Sequence, residues 1–333
     1  MRECRIDDNW QYKGIKVVIL ENQLIRTSIL IDYGAKIWEF TYKPTDREFL
    51  YHNPRMELRT PIFGANVDNW WVGGMDDLLP TGDACTYKGE NYPYHGELWS
   101  LPWDYEILER GGDEVKIHLW RECIISPLLM EKWMTIYEGK PIVDIQYKIT
   151  NLSNKQVEFN WGIHPGLSIN PHCRIDLPAR DMFIERSLPR NRLGKRGTIY
   201  QWPYAQDRKR GKRVDMRIVL PKEAGIEEYH YAVKLTDGWL ALTDTETREG
   251  FGLVFPKDIF KVIWFWASYG GFRQWYCVAL EPWTGYPAKL DEAVKGGIFA
   301  KLSGKENLKC QVKVLAFTGF SRVKRITPQG EVE

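Results

Sequence analysis

Apolar and polar residues alternate with a period of two along most of this chain. Val143, Ile145, Tyr147 and Ile149 alternate with Asp144, Gln146 and Lys148. Asn151, Leu152, Ser153 and Asn154 supply turn residues, and the alternation resumes through Val157, Phe159, Trp161 and Ile163. This spacing predicts a hairpin of two half-buried strands. Short strand-like runs punctuated by turn residues recur at 15–42, 115–121, 128–139, 231–243, 251–255, 260–268 and 273–281, and again near the C-terminal end of the sequence in KCQVKVLAFTGF. Only residues 288–296 carry a helical pattern. Residues 52–94 are rich in Gly, Pro, Asn and Asp and read as one long functional loop. Many strands and almost no helix predict an all-β chain, a large antiparallel β-sandwich forming a single domain over 1–333.

Composition narrows the function classes. Charges nearly cancel, at a formal net +2, so no global attraction to nucleic acid or an anionic membrane is implied. The opening MRECRIDDNW lacks the apolar core of a signal peptide, and no apolar run reaches membrane length, so a cytoplasmic location is expected. Six scattered cysteines without CxxC or Cys/His spacing read as reduced thiols, with no metal site. Fifteen tryptophans and seventeen tyrosines suit a β core, and equally a site that stacks flat faces of sugars or bases. One segment departs from neutrality. Residues 186–217 hold eleven Lys/Arg against two Asp. The plain expectation is a solvated basic excursion, and the sharper one is a lid or an electrostatic guide for an anionic substrate. No nucleic-acid-binding motif accompanies it.

Two strand ends carry candidate chemistry. In VEFNWGIHPGLSINP, His164 has the parity of Glu158, Asn160 and Gly162, so it projects opposite the Val/Phe/Trp/Ile face. Alone it reads as readily as a surface or capping histidine. In WYCVALEPWTGYP, Glu281 shares parity with the small residues Cys277 and Ala279, and Pro282 ends the regular strand. A carboxylate among aromatics is open to desolvation that raises its pKa and makes it a usable base.

Three segments in this order, YHGELW with His95, NWGIHPGLSI with His164 and ALEPWTGYP with Glu281, resemble the aldose 1-epimerase (galactose mutarotase) family over about residues 14–320. The resemblance implies a β-supersandwich that holds a sugar on one sheet and interconverts its α and β anomers without metal or organic cofactor. It implies Glu281 as base, His164 as acid toward the ring oxygen, and His95 as a residue that hydrogen-bonds the ring region or stabilises developing charge. Glu281 is expected to keep His164 protonated. Arg59, Asp76, Asp77 and Arg273 are candidates for holding sugar hydroxyls, with Trp70, Trp71 and Glu97 as further candidate contacts. The expected partner is a small sugar, with an anionic one among the candidates, and neither nucleic acid nor membrane. The chain is expected as a monomer or homodimer. Two other functions remain open at this point: a glycoside hydrolase or lyase pairing Glu281 with Asp76, Asp77 or Glu97, and a non-catalytic carbohydrate-binding protein using tryptophan stacking.

Overall fold

The computed structural model describes residues 3–333. Among them two large antiparallel sheets, of thirteen and eight strands, pack face to face. The larger carries the features of interest through seven strands: β1 (Lys36–Tyr42), β2 (Met75–Leu78), β3 (Gly162–Ser168), β4 (Asp181–Leu188), β5 (Ile226–Val233), β6 (Val262–Tyr269) and β7 (Tyr276–Trp283). Their spatial order is β1-β2-β3-β7-β6-β5-β4. One face of this sheet meets the eight-stranded sheet. Ile37, Ile163, Phe265, Val278 and Leu280 pack there with Ile117, Met134, Ile145 and Val312 of the smaller sheet in one buried cluster. The other face carries a second cluster rich in aromatics, including Trp71, Trp99, Tyr231, Trp264, Trp275 and Trp283. The period-two pattern thus divides one sheet between an aliphatic core and an aromatic face.

The predicted hairpin is not formed. Ile142–Asn151 lies in the eight-stranded sheet between Leu128–Tyr137 and Asn307–Thr318, whereas β3 lies in the thirteen-stranded sheet. Between them Val157–Phe159 pairs with Ala300–Leu302. The chain therefore changes sheets at this turn. Asn151 stabilises the corner, its Nδ2 donating to the carbonyls of Lys155, Leu302 and Ser303 at 2.7, 3.2 and 2.9 Å. Alternation says which side of a strand is buried, and both sheets bury the same kind of side. It does not choose the pairing partner.

Residues 52–94 also differ from one continuous loop. They contain β2, a short 3-10 turn at Val67–Asn69 and a small hairpin of Cys85–Tyr87 with Glu90–Tyr92. β2 reads Met-Asp-Asp-Leu, with all four residues buried. Asp76 and Asp77 face opposite sides, and each finds a buried lysine: Lys36 Nζ at 2.6 Å and Lys132 Nζ at 2.9 Å. A strand whose two inner residues are ion-paired acids gives no hydrophobic signal. The helix expected at 288–296 is present as Leu290–Gly296. The six cysteines are free thiols. Among the described residues, no helix is long and apolar enough to cross a membrane.

Candidate active site

The aromatic face of the larger sheet presents a row of directly opposed residues. Asp76 on β2 pairs with His164 on β3. The flanking pairs Gly162–Trp283 and Gly166–Ala279 place His164 opposite Glu281 on β7. The row continues from Glu281 to Trp264, from Trp264 to Tyr231 and from Tyr231 to Phe183. Opposed residues of an antiparallel pair share a face, so pairing alone brings His164 and Glu281 together from positions 117 residues apart in the sequence. Their side chains lie 3.7 Å apart, Nε2 to Oε1. His95 arrives from outside the sheet, its ring centroid 5.2 Å from that of His164. It sits at φ 64° beside Gly96 at φ 71°, in a turn closed by the Gly96 amide donating to the Pro93 carbonyl. A Cβ at Gly96 would stand 2.1 Å from the Leu79 carbonyl oxygen, so glycine is required where this turn crosses the end of β2.

Two glycines flanking His164 explain how dry the pair is. A Cβ at Gly162 would fall 2.0 Å from the Trp283 indole, and one at Gly166 would fall 2.5 Å from that of Trp71. Each glycine is thus a slot filled by an indole. Trp283 stacks on Trp264 at 3.7 Å and 10°, and its Nε1 donates to Glu281 Oε2 at 2.9 Å. Trp71 meets the His164 ring edge-on at 5.5 Å. Burial among these rings pushes the Glu281 carboxyl up to about 8; the Trp283 hydrogen bond opposes the shift and the Asp76 charge adds to it. Burial also pushes His164 down to about 3, with the Lys36 charge contributing, and takes His95 well below its ordinary range. His164 and Glu281 therefore form no ion pair at neutral pH, although their separation is within ion-pair range. The single proton of the pair rests on Glu281. The expectation that Glu281 would keep His164 protonated is corrected: desolvation outweighs the neighbouring carboxyl.

These shifts set a stability prediction. Glu281 binds its proton more tightly in the folded chain, so its contribution to stability falls as pH rises from 4.5 to about 8, by about 1.4 kcal/mol per pH unit. His164 and His95 bind theirs less tightly, so their contributions grow as pH climbs toward 6.5. Together the three favour the fold most near pH 6.5. Glu281→Gln removes the alkaline decline, and chemical denaturation at pH 6 and 8.5 is expected to show the variant gaining on wild type at the higher pH. An equal difference at both values would contradict the shift assigned to Glu281.

The cavity over this row measures about 420 Å³, within the ~300–1,000 Å³ range of small-molecule sites. His95, His164, Glu281 and Trp71 all line it, with Trp264, Trp266 and Tyr229. Charged lining residues are Asp68, Asp83, Glu227, Glu281 and Arg186. Burial holds the carboxyls of Asp68 and Asp83 above their usual range. Nδ1 of His95 and Nδ1 of His164 are buried here without a hydrogen-bond partner. Such a group of orphaned polar atoms is typical of a site that binds a polar ligand.

Other candidates from the sequence lie elsewhere. Asp76 stands at the β2 end of the row, tied to Lys36, and Asp77 faces the inter-sheet core, tied to Lys132. Neither lines the cavity. Glu97 is fully buried and accepts the amides of Ile124, Ile125 and Ser126 and the Ser126 hydroxyl, so its oxygens are spent on holding a turn. Exposed Arg59 lies over the Trp70 ring at 4.2 Å. Arg273 braces the Val67–Asn69 turn through the Asp68 carbonyl and Asn69 Oδ1. The basic segment 186–217 supplies the cavity with one cation, Arg186, already bound to Glu227 at 2.5 Å. Arg192, Arg196 and Arg217 of the same segment are likewise engaged by acids, while Arg208, Lys209, Arg210 and Lys212 are exposed on the hairpin Tyr204–Asp207 with Lys212–Asp215, and none of the four lines the cavity. Sequence reasoning missed Asp68, Asp83 and Glu227. Glu227 had a signal in its alternation with Tyr229 and Tyr231, but only the strand register aims them at Glu281. Among the described residues, no group of three or more His, Cys, Asp or Glu is arranged to hold a metal ion.

No family model matches the chain, and no curated protein matches it in sequence. Solved structures do. A protein of Synechocystis sp. PCC 6803 aligns with a TM-score of 0.68 at 17% identity, covering 93% of this chain and 99% of its own. A protein of Klebsiella pneumoniae, provisionally named an aldose 1-epimerase, aligns with a TM-score of 0.71 at 13% identity, over 94% and 83% of the two chains. A galactose mutarotase-like protein of Clostridium acetobutylicum gives a TM-score of 0.65 at 11% identity, over 96% and 100%. The two sheets, their topology and these likenesses identify the fold as galactose mutarotase-like.

Proposed function

We propose that this protein interconverts the α and β anomers of a neutral aldose by acid–base catalysis between Glu281 and His164. The observation that carries the reading is the pair itself: two buried groups 3.7 Å apart that line an aromatic cavity. Mutarotation needs one group to take the proton of the C1 hydroxyl and another to give one to the ring oxygen. Ring opening proceeds from the minor tautomer in which the shared proton has passed from Glu281 to His164: Glu281 takes the C1 hydroxyl proton as His164 delivers its proton to the ring oxygen, and the C1–O5 bond breaks to leave an aldehyde. Glu281 is then protonated and His164 neutral, which is the distribution that burial favours in the resting site. Rotation about C1–C2 and reversal of both transfers closes the other anomer. His95 lines the same cavity, which supports a role in hydrogen-bonding the ring region. The lining sets the carboxyls of Asp68, Asp83 and Glu227 against the single cation Arg186, which disfavours a sugar phosphate, so the proposed substrate is neutral.

A pair that works with one proton has a specific pH signature. Enzyme-dependent kcat/KM is expected to be level from above pH 4 to about 7 and to fall above about 8, where Glu281 loses the shared proton. A rate that climbs steadily through pH 8 would show that the carboxylate acts without a proton on its partner and would reject this mechanism.

A further inference from the structure

The cavity extends beyond what the catalytic pair occupies. The sheet presents its floor in successive rows two residues apart along the strands. His164, Glu281 and Trp264 stand in the first row. The second contains Gly166, Ala279, Trp266, Tyr229 and Arg186, and the third Ser268, Glu227 and Leu188. Each two-residue step advances about 6.5–7 Å, so the third row lies about 13 Å along the strands from Glu281. That length exceeds a single pyranose ring. Exposure is concentrated on β4: the Arg186 side chain is 46% exposed and Leu188 38%, against 4% for the Glu281 side chain. The catalytic pair lies in a closed part of a cleft that opens on the β4 side, at Arg186 and Leu188.

The β4 side of the cleft is built rather than merely exposed. Trp266 Nε1 donates to Glu227 Oε1 at 3.2 Å, and the same oxygen accepts Arg186 Nε at 3.1 Å and a terminal guanidinium nitrogen at 2.5 Å. Glu227 is 3% exposed, yet every side-chain hydrogen bond it makes falls on Oε1, leaving Oε2 without a protein partner in a residue that lines the cavity. Phe272 meets the Trp266 indole edge-on at 5.8 Å and fixes its plane. A fixed indole beside a neutralised cation–carboxylate pair suits a neutral polyhydroxylated ring. The C–H face packs on the aromatic, and hydroxyls meet Oε2 and the guanidinium.

We infer that Trp266, Arg186 and Glu227 form a second sugar subsite, and that the preferred ligand is a reducing disaccharide or longer oligosaccharide whose reducing unit reaches Glu281 and His164. The inference rests on the aldose reading for the closed part, so its test separates binding from turnover. Methyl glycosides of glucose, maltose and cellobiose cannot mutarotate; their binding is followed by tryptophan fluorescence, and anomer exchange of the free sugars by NMR. At least one disaccharide glycoside is expected to bind about tenfold or more tighter than the methyl glucosides. Trp266→Ala and Glu227→Gln are each expected to collapse that ratio. Equal affinities in wild type, or a ratio untouched in both variants, would overturn the subsite. Disaccharide preference without any exchange would keep the subsite and remove the epimerase reading. Exchange of monosaccharides without disaccharide preference would do the reverse.

Discussion

Glu281→Gln is expected to lower enzyme-dependent anomer exchange by about 10²–10⁴-fold, the usual worth of a positioned proton-transfer group. The amide keeps the shape of the carboxyl and can still accept from Trp283 Nε1, which now donates at 2.9 Å. It cannot carry the proton between the C1 hydroxyl and the active site. The loss should therefore fall on kcat with the fold retained, and the variant should be the more stable protein at alkaline pH for the reason given above. Stopped-flow polarimetry and a denaturation curve on the same preparation check both halves. Retained exchange in a folded Glu281→Gln variant would take the carboxyl out of the mechanism.

Lys36→Met is expected to destabilise the fold by about 3–5 kcal/mol, the cost of removing one partner from a buried ion pair. Lys36 and Asp76 are both essentially inaccessible, 2.6 Å apart, and Lys36 also donates to the Gly73 carbonyl at 2.8 Å. Without the ammonium, Asp76 is left as an uncompensated acid beside His164. Replacing both partners, Lys36→Met with Asp76→Leu, is expected to recover most of the loss, because the desolvation of two charges is removed along with their attraction. Urea denaturation of the two variants decides this. If the single and double variants are equally destabilised, the ion pair is not what the single substitution disrupts. The same lysine helps hold His164 down, so in Lys36→Met the histidine is expected to titrate at higher pH, readable by NMR.

The parts of the sequence governed by period two were the legible ones. The all-β class followed from alternation, and the faces assigned to His164 and Glu281 follow from parity, which pairing preserves. What parity lacks is register and partner. The strand pairs His164–Asp76 and Glu281–Trp264 are set by residues far apart in sequence, so Asp68, Asp83 and Glu227 could not be placed near the pair beforehand. β2 was hidden because its two acids are satisfied by lysines from other strands, which is a tertiary solution with no local signature. Glu97 misled for a related reason. A glutamate next to His-Gly looks available until its oxygens are counted against the amides of Ile124, Ile125 and Ser126. The glycines of GIHPG carry meaning that only packing reveals, since each is the floor of an indole.

The central claim is that this site moves a proton on and off the anomeric centre of a neutral sugar. NMR saturation exchange between α and β anomers tests it most directly, over a panel of aldoses, their 6-phosphates and reducing disaccharides, at a slightly acidic pH where spontaneous exchange is slow. Acceleration of at least one neutral sugar by wild type, lost in Glu281→Gln and weaker for the corresponding phosphate, is the predicted result. No acceleration of any sugar that the protein demonstrably binds would contradict it and leave a carbohydrate-binding protein with a silent catalytic pair.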